Sequence, residues 1–116
     1  MKMKKKRRLP KMVVVLVTCP TQAVGRRLAE RLVKSHLAAC VNLIPQVESI
    51  FQWQGKIDRC REALLVVKTT AERFERLRRT VVQFHPYKVP EVIALPISSG
   101  HPPYLRCLSA SLLSSR

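Results

Sequence analysis

Residues 13–17 (VVVLV) form an apolar run without polar alternation, the pattern of a strand buried on both faces. Cys19-Pro20 ends it. From Thr21 to Leu37 the period changes: Val24, Leu28 and Leu32 recur at i, i+4 and i+8, with Arg26, Arg27, Glu30, Arg31 and Lys34 mostly off that stripe, which predicts an amphipathic helix. Gly25 inside it costs about 1 kcal/mol relative to Ala, so packing on that face has to offset it. Residues 41–53 alternate, with Val41, Leu43, Val47, Phe51 and Trp53 on one face and Asn42, Gln46, Glu48 and Gln52 on the other. Pro45 lacks a ladder donor and suits an edge or a bulge. Gln54-Gly55 supplies a turn, and the chain returns to a second apolar run, Ala63 to Val67, closing a long hairpin.

Thr69 and Glu72 stand at capping-box spacing and predict a helix start. Phe74, Leu77, Val81 and Phe84 give that helix its apolar stripe, Glu72–Arg76 and Glu75–Arg79 lie at i,i+4, and His85-Pro86 stops it. Residues 91–97 (EVIALPI) predict a fourth strand, marked as an edge by Pro96, and Tyr104, Leu108 and Leu112 fit a final helix. The order βαββαβ plus a C-terminal helix is the split βαβ, ferredoxin-like arrangement of the α+β class. The first and third strands are wholly apolar and belong in the centre; the second and fourth carry prolines and belong at the edges. Two helices cover one face of such a sheet. The uncovered apolar face, and a hairpin longer than its sheet can pair, predict a symmetric homo-oligomer.

Composition narrows the class. The chain has 116 residues, 47% hydrophobic and 25% charged, which suits one globular domain. No apolar run approaches the roughly 20 residues needed to span a bilayer. The formal charge of +15 is unevenly spread, because residues 1–11 hold seven Lys and Arg and no acid. These residues are expected to form a disordered basic extension that contacts polyanions without specificity, ahead of a domain at 12–116. No signature of an RRM, KH or zinc-finger reader is present. The start imitates a lipoprotein export signal, but six apolar residues and Thr18 before Cys19 fit that signal poorly. Cys19, Cys40, Cys60 and Cys107 form no C-x-x-C pair, which points to reduced thiols and a cytoplasmic protein.

Candidate chemistry is sparse. Cys19 falls where a strand gives way to a helix. There it is either a small buried residue or a thiolate favoured by the helix terminus and suited to copper. His85 is the leading ligand candidate by residue type, against a structural role as a capping histidine. Cys40 reads as a packing residue, His36 as a helix-end cation, His101 as a loop residue and Trp53 as an interface anchor. Glu91, Lys68 and Tyr87 are candidates for lining an inter-subunit cleft. The sequence contains no recognisable catalytic triad, phosphate loop or acid–base carboxylate pair, so a non-enzymatic protein is expected.

Six segments together resemble the CutA family of divalent-cation-tolerance proteins: residues 14–20 (VVLVTCP), 37–45 (LAACVNLIP), 50–57 (IFQWQGKI), 67–70 (VKTT), 85–87 (HPY) and 90–96 (PEVIALP). The resemblance covers residues 12–112 and implies a trimer with the hairpin exchanged between subunits. It also implies a role in tolerance of copper and other divalent cations, with no required cofactor and with His85 and Cys19 as the metal candidates. Some bacterial members carry two adjacent histidines where this chain has Phe84-His85, so a tight site here needs a further ligand from Cys19 or a neighbouring subunit. Similarity of the fold to trimeric nitrogen-regulatory signalling proteins implies an alternative, a small-molecule sensor or protein-interaction scaffold that binds metal incidentally.

Overall fold

A computed structural model describes residues 9–113. Most of the basic extension, residues 1–8, lies outside the described residues. Strand β1 (Met12–Cys19) leads into helix α1 (Gln22–Lys34), followed by β2 (Cys40–Trp53) and β3 (Lys56–Thr70). A 3₁₀ turn (Ala71–Arg73) then opens α2 (Phe74–Phe84), and β4 (Ile93–Pro96) and α3 (Pro102–Ser111) complete the chain. The antiparallel sheet has the order β2-β3-β1-β4, so the apolar strands are central and the proline-bearing strands are the edges.

The core lies between the sheet and the helices. Val15, Val17, Leu65 and Val67 are fully buried against Leu28 and Leu32 of α1 and Leu77 and Val81 of α2. Each such side chain contributes roughly 1.5–3 kcal/mol by leaving water. A Cβ at Gly25 would meet the Leu43 and Leu65 side chains at 3.4 Å, an ordinary packing contact, so the burial of the stripe offsets the helical cost of Gly25 without the site requiring glycine. Alternation turns Val14, Leu16, Leu64 and Val66 to the opposite face. There they are half-buried, with Ile93 and Leu95 of β4 more exposed beside them.

Local signals fix the joints. The Thr21 hydroxyl accepts from Val24 N–H and caps α1. At its other end Leu37 N–H reaches Leu32 O and His36 N–H reaches Val33 O, a Schellman closure with His36 at φ 60 in the place glycine usually fills. Gln54 and Gly55, at φ 51 and 78, form the two-residue hairpin turn, as both central residues of a type I′ turn require. The ladder slips between Ile44 and Val47, where Pro45 creates a bulge.

The capping box does not form. Thr69 remains in β3 opposite Val13, and its hydroxyl donates to Leu37 O at 2.6 Å; Thr70 caps the 3₁₀ turn instead, by accepting from Arg73 N–H. The pairs expected at i,i+4 on α2 are likewise replaced by Glu75–Arg78 at i,i+3. Arg73 ties the joints together, donating to His36 O from Nε and to Leu112 O from Nη2.

β1 ends opposite Ala63, whereas β2 and β3 continue to the turn as a two-stranded ribbon. The described residues consequently extend 67 × 30 × 21 Å. Phe51, Trp53 and Ile57 lie exposed along the ribbon.

Candidate functional site

The end of β1 leaves a corner at the root of the ribbon, and the segment after α2 fills it. Pro86 holds His85 in extended backbone, φ −83 and ψ 139, turning the chain back beneath β1. His85 is buried. Its Nε2 lies 2.7 Å from Thr18 O and its Nδ1 accepts Tyr87 N–H at 3.0 Å. A carbonyl partner requires Nε2 to carry the proton and an N–H partner requires Nδ1 to be bare, so these bonds select one neutral tautomer.

The Tyr87 ring packs at 4.8 Å from the imidazole, and its hydroxyl donates to Glu62 Oε2 at 2.9 Å. Ser49, across the ribbon, donates to Glu62 Oε1 at 2.7 Å. Glu62, 8% exposed, is the first residue of β3 beyond the reach of β1. Thr18, His85, Tyr87, Glu62 and Ser49 thus form one connected polar chain from β1 to β2, by hydrogen bonds and the Tyr87 backbone.

Burial and the neighbouring carboxylate act together on the groups around it. Burial, reinforced by Glu62, pushes the Cys19 thiol up to about 11. Burial and the bond to Glu62 push the Tyr87 phenol up to about 12, and burial with Glu62 also raises the Cys60 thiol. Among the described residues no cation pairs with Glu62; the ion pair found there, Glu75–Arg78, lies on the exposed side of α2.

Cys19 and His85 therefore reach the same corner in states unlike those expected. Cys19 is fully buried and held as a thiol, so burial and Glu62 overcome any help to the thiolate from the helix terminus. Both His85 nitrogens are engaged within the protomer. Among the described residues no group of three or more His, Cys, Asp and Glu side chains comes together to hold a metal ion. The described residues of one protomer thus hold no closed donor set. Cys40 is half-buried in β2, His101 is an exposed residue before α3, and Trp53 is 61% exposed. Lys68 donates to Asn42 Oδ1 and lies 6.0 Å from the Tyr104 ring, while Tyr87 serves Glu62, so those two residues have different partners within a protomer.

Sequence reasoning passed over Glu62 and Ser49. The signal for Glu62 was faint: an acid directly before the apolar run 63–67 of a central strand. Ser49 carried none, because its partner is set by cross-strand register.

The family model described as CutA1 divalent ion tolerance protein matches residues 13–111. A divalent-cation tolerance protein CutA from Thermus thermophilus is 49% identical over 79% of this chain and 89% of its own length. Protein CutA from Mus musculus is 49% identical over 77% of this chain, which spans half the length of the mouse protein. The crystal structure of CutA1 from Oryza sativa superposes with a TM-score of 0.88 at 42% identity, over 92% of this chain and 98% of that one. With its ferredoxin-like sheet and long hairpin, the chain belongs to the CutA1 divalent ion tolerance family.

Proposed function

We propose that this protein is a non-enzymatic, homotrimeric divalent-cation-binding protein of the cytoplasm, with copper preferred and metal-ion tolerance as its role. The observation that carries this reading is Glu62, a nearly buried carboxylate held by two hydroxyls, with no cation partner among the described residues, in a chain of charge +15. A carboxylate removed from water without counter-charge is costly, and a divalent ion would supply that charge. The neighbouring Cys60 thiol adds a soft donor suited to copper, and His85 and Cys19 stand at the same corner. To ligate, Cys19 would have to lose its proton and His85 to surrender a hydrogen bond, so in this reading a neighbouring subunit completes the site. The ribbon, running past the end of β1 with exposed apolar side chains, is the element suited to meet that subunit. Four free cysteines support a reducing compartment, and relatives named for divalent-cation tolerance support the role.

The test is equilibrium dialysis of the full chain against limiting copper, with Glu62→Gln, Cys60→Ser, His85→Ala and Cys19→Ala alongside. Glu62→Gln is expected to lower bound copper most. Four variants that bind like the parent would defeat the assignment. That outcome would favour a trimeric small-molecule sensor or interaction scaffold, a reading supported by the engaged His85 imidazole and the protonated Cys19 thiol.

A further inference from the structure

The outer side of α1 carries Arg27, Arg31 and Lys34 at i, i+4 and i+7, a row with steps of about 4.5–6 Å along the axis. All three are exposed, and Glu30 is the one acid in the helix. Two clefts run beside the row. One of about 250 Å³ is lined by Val24, Arg27, Leu28, Arg31, Phe84 and Pro86, and the other, of about 450 Å³, by Arg27, Glu30, Arg31, Lys34 and Ser35. The two share Arg27 and Arg31 in their lining, and the first is the more enclosed groove. Within it the Arg31 guanidinium lies over the ring of Phe84, 3.7 Å from the centroid, and Phe84 remains 44% exposed.

We propose that this groove binds single-stranded nucleic acid, with Arg27, Arg31 and Lys34 tracking successive phosphates and the Arg31–Phe84 stack receiving a base. A sequence-blind polyanion would need the charges alone. The groove adds a flat guanidinium held on an aromatic ring and an apolar wall from Val24, Leu28 and Pro86, the features on which an unstacked base packs. Duplex bases, already stacked, cannot enter. The surface also lies on the helical side of the sheet, away from the apolar face of Val14, Leu16, Leu64 and Val66, so an assembly built on that face leaves it open.

The experiment measures fluorescence anisotropy of the full chain with a labelled oligouridine of about twelve nucleotides, between about 50 and 200 mM salt. Arg27→Ser with Arg31→Ser and Lys34→Ser is expected to weaken binding about tenfold or more and to reduce the salt slope by about 2. Phe84→Leu keeps every charge; it is expected to weaken oligouridine about fivefold and to leave inorganic polyphosphate binding unchanged. Lys4→Gln with Lys5→Gln and Lys6→Gln isolates the basic extension and is expected to weaken both probes alike. Circular dichroism checks that each variant is folded. Equal affinity for a duplex, or a Phe84→Leu variant indistinguishable from the parent, would reduce the groove to a polyanion surface and overturn the proposal. Unchanged binding by the folded triple variant would overturn it as well.

Discussion

Leu65 and Ile57 belong to the same strand and live in opposite surroundings. Leu65 is fully buried, with β1 on one side, β2 on the other and the helices above; Ile57 is 64% exposed on the ribbon, with β2 as its one neighbouring strand. The difference is one of neighbours rather than of residue type. The sheet half closes its own core. The ribbon holds apolar side chains that its own protomer leaves wet, and a two-stranded ribbon alone is marginal in water. The candidate site sits at the boundary between the two, where Glu62 is the first residue that β1 no longer accompanies.

Breaking the closed half should have the largest effect. Leu65→Ala removes a fully buried side chain from the central strand and should cost about 2–5 kcal/mol, read as a lowered denaturation midpoint. A cost below about 1 kcal/mol would mean that this half is loosely packed.

Next comes pH. The folded Cys19 thiol titrates at about 11 rather than near 9, so the folded state keeps a proton that the unfolded chain gives up. The associated stability is fully present below pH 9 and is lost as pH rises through 11, by about 2–3 kcal/mol. Chemical denaturation across that range should show the decline. Cys19→Ala should remove the decline between pH 9 and 10 and reduce it above, where Tyr87, raised from 10 to about 12, maintains a fall up to pH 12.

On the ribbon, Trp53→Asp should leave the protomer folded and weaken self-association about tenfold or more, since an unpaired charge would enter the contact expected there. Sedimentation equilibrium should find three protomers for the parent and a lighter average mass for the variant. An unchanged mass would place the contact elsewhere. The smallest effect is expected at the turn: Gln54→Asn suits a type I′ pair better and should raise thermal stability by a few tenths of a kcal/mol.

Most of the fold was legible because its signals are local and periodic. The run 13–17, the stripe of Val24, Leu28 and Leu32, and the prolines of the edge strands each report a nearest-neighbour requirement. The spacing of Thr69 and Glu72 was legible too, and misleading. A hydroxyl takes the partner that the fold brings to it, and the fold places Leu37 O, not a helix N–H, against Thr69. The same limit applied to the site. Residue type nominated His85 and Cys19, but whether an imidazole is free or a thiol ionised depends on what surrounds it.

The sequence alone determined the order of elements, which strands are central, the hairpin turn and the family, because those depend on side-chain pattern, backbone preference and extended similarity along the chain. Tertiary structure decided that Thr18 O and Tyr87 N–H occupy the His85 ring, that Ser49 and Tyr87 converge on Glu62, and that Arg31 lies on Phe84. Those partners are far apart in the chain, apart from Tyr87 beside His85. Their meeting depends on strand register, the point where β1 stops and the packing of α1 near α2, none of which leaves a periodic trace in the residues themselves.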